Sequence, residues 1–81
     1  MIRVRLREAM RRHERATGVR VTYDWLAKRT GLARATVEAI GSRPRYQPSL
    51  QAIDLLCEAL ACELSELLER QPTRARRKGA A

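Results

Sequence analysis

Four neighbouring residues, Arg34, Ala35, Thr36 and Glu38, offer the most specific chemistry in this chain. An arginine guanidinium presents five N–H donors in a rigid fork, whereas a glutamate carboxylate only accepts. The fork matches the O6 and N7 acceptors of guanine, glutamate can accept from the cytosine amino group, and alanine is small enough to admit a thymine methyl. Arg34 and Glu38 are also four residues apart. On a helix they can simply pair with each other on a solvated face, for about 0.3–0.5 kcal/mol.

The elements that must hold these side chains are legible on either side of them. Thr22 is a good N-cap, Val21 before it can pack on Leu26 as a hydrophobic staple, and Asp24 falls in the first turn, where the helix dipole favours an anion. Leu26, Ala27 and Thr30 share one face, and Gly31 can take the left-handed conformation that ends a helix. Leu32, Thr36, Val37 and Ile40 then form a second inward stripe, leaving Arg34, Ala35 and Glu38 pointing away from the core. Two short helices joined by such a turn make a helix-turn-helix, which in a basic chain is usually used on the major groove of DNA.

Counted from Tyr23, residues Ala27, Gly31, Val37 and Ile40 occupy the small, glycine and two apolar positions of the helix-turn-helix signature. Together with LAKRTGLARATVEAI and the later run PSLQAIDLLCEALACELSELLE, they make residues 4–69 resemble the lambda-repressor-like (Cro/repressor, XRE-type) domains. The resemblance implies an all-α, compact five-helix fold that binds double-stranded DNA. Arg34 matches the position that contacts bases, with Ala35, Thr36 and Glu38 refining the reading. Tyr23 stands where relatives often carry a phosphate-binding Gln, and its hydroxyl can serve instead. Other departures are Ala33, which removes a capping hydroxyl worth roughly 1 kcal/mol, Ala61 in place of a helix-ending glycine, and Glu63 in place of a Ser or Asp cap.

Charge adds a direction. The chain has 81 residues and a net charge of +8, distributed unevenly. Residues 1–20 hold seven Arg and two Glu, residues 21–48 five basic and two acidic groups, residues 49–69 five acids and no Lys or Arg, and residues 70–81 five bases. One face turned to a polyanion and another turned away fits this pattern. Lys28 and Arg29 at the end of the second helix, and Ser42, Arg43, Arg45 and Tyr46 after the third, are the further candidates for backbone phosphates.

Other functions find little support. The single histidine, His13, sits among arginines, and no nucleophile–base set, phosphate loop or paired carboxylate site accompanies it, so an enzyme is not expected. Cys57 and Cys62 are five apart without a second pair, which argues against zinc and for small buried hydrophobes. No metal, cofactor or small-molecule ligand is expected. The apolar stripe of residues 3–15 is too thin to anchor in a membrane, and neither a spanning run nor a signal core is present, which points to a cytoplasmic, nucleoid-associated protein.

The periodicity predicts helices over about 4–15, 23–29, 33–40, 50–60 and 64–70. Residues 2–6 alternate apolar and Arg, as a brief strand or as a helix entrance, and a helix is the preferred reading. Gly41 is expected to end the third helix and Ser49 to cap the fourth, whose stripe is Leu50, Ile53, Leu56, Cys57 and Leu60. The domain is expected to span 1–69, with 70–81 a basic disordered tail. Two functions remain: a transcriptional regulator acting as a repressor, since small stand-alone proteins of this kind resemble phage or mobile-element repressors, restriction-modification controllers and antitoxins, or a protein-interaction module, such as an antitoxin or regulatory partner, using Trp25 or the acidic helices 50–60 and 64–70. Because one helix reads few base pairs, a homodimer is expected, with Leu64, Leu67 and Leu68 as its seam.

Overall fold

The computed structural model describes residues 1–72. A strand β1 (Ile2–Val4) leads into helices α1 (Leu6–Thr17), α2 (Tyr23–Thr30), α3 (Arg34–Ser42), α4 (Leu50–Leu60) and α5 (Leu64–Leu67), and the chain continues into strand β2 (Leu68–Arg70). The five helices expected from the sequence are therefore present, with a small sheet added.

The helix ends follow local chemistry. The Trp25 N–H donates to Thr22 Oγ1 at 3.1 Å and the Ala52 N–H to Ser49 Oγ at 3.1 Å, so both expected N-caps are made. Gly31 turns left-handed (φ 80°) and closes α2 with an N–H bond to the Ala27 carbonyl. Ala33 precedes α3 without a side-chain cap. Ala61 ends α4 at φ 51°, ψ 45°, the only non-glycine residue at positive φ among the described residues.

Leu6, Leu26, Val37, Leu56 and Leu67 are fully buried and come from all five helices. Val21 and Leu26 both join this core, as the staple requires. The His13 imidazole reaches the last carbonyl of α4 (Nδ1 to Leu60 O, 3.0 Å) and lies against Trp25, with ring centroids 5.6 Å apart. Trp25 is thus half-buried at the core edge, its other neighbour being the Arg29 guanidinium 4.8 Å from the ring centre.

Several sequence expectations are corrected. Residues 2–4 form a strand, not the start of a helix, and α1 begins at Leu6 and runs to Thr17. The expected fifth helix over 64–70 stops at Leu67. Residues 68–70 instead pair antiparallel with β1, in the register Ile2 with Arg70, Arg3 with Glu69 and Val4 with Leu68. The Met1 ammonium donates to the Gln71 carbonyl (2.8 Å) and the Gln71 N–H donates back to the Met1 carbonyl (2.7 Å). The boundary expected after residue 69 therefore falls inside the sheet, and 73–81 of the expected tail lie outside the described residues.

Gly41 does not end α3, which continues to Ser42. A Cβ at Gly41 would come within 2.5 Å of the Tyr23 hydroxyl, so the glycine admits the Tyr23 ring between α2 and α3. Leu50, expected to point inward, is 84% exposed. As the first residue of α4 it overhangs an apolar cleft of about 630 Å³, shared with Met1, Ile2, Val4, Tyr46 and Pro48.

Candidate nucleic-acid interface

Arg34, Ala35 and Glu38 are exposed on α3, and Thr36 is half-buried beside Val37, which is fully enclosed. This follows from the inward stripe: once Val37 and Ile40 point to the core, residues 34, 35 and 38 face out, while 36 sits at the edge. Arg34 does not pair with Glu38. Its Nε lies 2.8 Å from Asp24 Oδ1 in the first turn of α2, so the ion pair bridges the two helices of the motif.

The structure also places the phosphate candidates. Tyr23 packs its ring against α3 at Gly41 and lines a cleft of about 370 Å³ with Arg7, Met10, Arg11, Glu14 and Arg34. Beside it, Arg3, Arg7 and Arg11 share a second cleft of about 340 Å³ with Gly41, Ser42 and Arg43. Ser42 Oγ donates to the Glu38 carbonyl (2.7 Å) within its own helix. Lys28, Arg43 and Arg45 are exposed, and Tyr46 is half-buried, lining the apolar cleft beneath β1 together with Arg45. Arg29 is set apart. It stacks on Trp25, four residues before it, whereas Asp24 and Lys28 occupy a face roughly 100° away around α2.

Sequence reasoning missed the contribution of α1. Arg7, Arg11 and Arg15 recur every fourth residue and so line up along one face of α1, and Arg3 of β1 joins Arg7 and Arg11 at one cleft. Arg7 and Arg11 stand beside both ends of α3. The four-residue spacing was the available signal, but it was absorbed into the net charge of the segment. Of the acids nearby, Glu14 is engaged by the Val21 N–H (3.1 Å) and Glu8 lies 3.5 Å from Arg5.

The proposed dimer seam needs revision. Leu67 is 0% exposed, because it fills the protein's own core, and Leu68 is half-buried in β2; Leu64 alone of the three stays largely exposed, at 55%. Cys57 and Cys62 are half-buried free thiols. Burial, and then the adjoining Cys57, push the Cys62 thiol up to about 11, which keeps it protonated and a poor nucleophile at neutral pH. Among the described residues no group of three His, Cys, Asp or Glu is arranged to hold a metal ion, and no helix is long and apolar enough to cross a membrane.

A helix-turn-helix braced by a five-helix core, with its exposed polar helix bordered by arginines, is the architecture of a DNA-binding domain. The model of the Cro/C1-type HTH DNA-binding domain matches residues 5–73, and the chain belongs to this family. A search of curated proteins returned no match.

Proposed function

We propose that this protein is a sequence-specific transcriptional regulator, acting as a repressor, that inserts the first turn of α3 into the major groove. The observation that carries this reading is the exposed face of Arg34, Ala35 and Glu38, flanked at both ends of α3 by clefts that Arg7 and Arg11 line. Arg34 is assigned to guanine, with Ala35, Thr36 and Glu38 shaping the neighbouring positions. Tyr23, Lys28, Ser42, Arg43, Arg45 and Tyr46 remain assigned to the phosphate backbone, joined by Arg7 and Arg11. Arg29, stacked on Trp25, is the weakest of the original assignments.

The protein acts without catalysis, cofactor or small-molecule ligand, in the cytoplasm, as a homodimer on a two-fold site. With Leu67 enclosed, the seam moves to exposed Leu64 and Leu50, which border one cleft with Ile53, Asp54, Cys57 and Cys62. Gel shifts with bulk genomic DNA over a range of salt concentrations, followed by selection of bound sites from a random duplex pool, test the function directly. Retarded complexes that weaken with salt and a convergent consensus are expected.

A second reading keeps the fold as a protein-interaction module. The apolar residues Met1, Ile2, Leu50 and Leu64, all more than half exposed, favour it on the side bearing the acidic helices. Trp25 contributes less, being held between His13 and Arg29. Failure to retard any DNA at low salt would select this reading over the first.

A further inference from the structure

An acidic side chain beside a surface offered to phosphates works against nonspecific affinity, since it repels the backbone. Asp24 is such a residue. It is exposed in the first turn of α2 and forms an ion pair with the arginine assigned to base reading. The two side chains are 58% and 66% exposed, and ion pairs so open to water contribute little to folding.

The geometry of the pair gives it another use. The pair approaches through Arg34 Nε and Asp24 Oδ1, 2.8 Å apart. A carboxylate held at Nε leaves the two terminal nitrogens, with four N–H donors, for an end-on approach to guanine O6 and N7. A guanidinium restrained in this way has already lost much of the rotamer freedom that a long side chain otherwise loses on binding.

We propose that Asp24 is a specificity-determining residue: it holds Arg34 through Nε so that the terminal nitrogens are presented to a guanine in each half-site. This rests on the DNA-reading function proposed above and names the base that the site recognises. Asp24 itself touches no base; it is a positioning residue acting through Arg34. The opposite role, an acid that merely competes with DNA for Arg34, makes the opposite prediction.

The test uses the full chain and four proteins: wild type, Asp24→Asn, Arg34→Ala and the double variant. Each is titrated with the duplex selected by wild type and with random duplex, and melting temperatures verify folding. Removing a negative charge should raise affinity for random DNA slightly. On the selected duplex, Asp24→Asn should instead lower affinity by roughly five- to tenfold, part of the discrimination a bidentate guanine contact provides, and the consensus obtained with this variant should relax at the guanine. In the Arg34→Ala background the same change should cost nothing on the selected duplex, because no guanidinium remains to be oriented. A gain in affinity on both duplexes would overturn the proposal and make Asp24 a competitor. A specific loss that persists without Arg34 would also overturn it, as a structural effect. If Arg34→Ala loses equally on both duplexes, the base-reading assignment fails together with this inference; if Arg34 discriminates and Asp24 does not, this inference fails alone.

Discussion

At the scale of the residue, Arg34 and Ala61 carry the most consequence. Arg34→Ala is expected to cost about 1–3 kcal/mol on the preferred duplex and much less on random sequence, since base contacts discriminate and phosphate contacts do not. Comparative titrations check this, and equal losses would reassign Arg34 to the backbone. Ala61 stores strain, because its left-handed backbone costs a residue with a Cβ roughly 1–2 kcal/mol. A glycine there gives back roughly 0.4–1 kcal/mol through the looser unfolded chain. Ala61→Gly should therefore stabilise the fold by about 0–1.6 kcal/mol, which thermal unfolding would register as a rise of roughly 4–8 °C per kcal/mol gained. The sequence already marked position 61 as a helix end lacking its glycine, and a left-handed alanine is the form that departure takes.

At the scale of the element, what could be read from the sequence depended on how local the determinants were. Thr22, Gly31 and Ser49 act within one turn of their own position, and they delimit α2 and α4 as expected. The strands have no such signal. Leu68-Glu69-Arg70 continues a helical-looking run, and only pairing with residues 2–4, at the other end of the described chain, makes it extended. Gly41 was misread for the same reason: its role is set by the Tyr23 ring arriving from another helix. In the candidate site, the exposed face of α3 followed from periodicity, but the Asp24–Arg34 bridge and the position of the α1 arginines required the fold.

Two predictions belong to the elements. If α1 borders the DNA, Arg7→Ala should make the slope of log K against log salt shallower by about 0.9, and Arg43→Ala by a similar amount. A slope unchanged by Arg7→Ala, measured on random duplex, would remove α1 from the interface. The second concerns how α5 is fastened. Glu66 accepts the Glu63 N–H at 2.8 Å and meets Arg12 of α1 at 2.6 Å, and its carboxyl is held below the ordinary value of 4.5 by that backbone bond first and by Arg12 as well. The anion thus favours the folded state. Its contribution is complete above the ordinary value and is lost as pH falls through the lower, folded value. Glu66→Gln should melt below wild type at neutral pH, with the two curves converging in acid; a gap independent of pH would discount the ionic contact.

At the scale of the whole molecule, charge is partitioned between elements. Arginines of β1, α1 and α3 border the helix-turn-helix, while α4 and α5 are acidic and expose Leu50 and Leu64. A dimer joined through the acidic side would keep both reading helices free, and half-sites would lie about 34 Å apart, one turn of DNA. Sedimentation on and off DNA checks this. Leu64→Glu, adding charge where apolar area should be covered, is expected to shift the protein toward monomer and weaken binding to the two-fold site more than to a half-site. A monomer at tens of micromolar in both conditions would exclude the assembly.

The pairing of β1 with β2 also bears on how the protein is made. Residues 2–4 are synthesised well before their partners, residues 68–70, and the Met1 carbonyl waits for the Gln71 N–H. A nascent chain that has released α1 to α4 holds both helices of the motif but lacks Leu67, a fully buried part of the core. A chain stalled before residue 67 therefore carries both helices of the motif on an unfinished core, with β1 still unpaired.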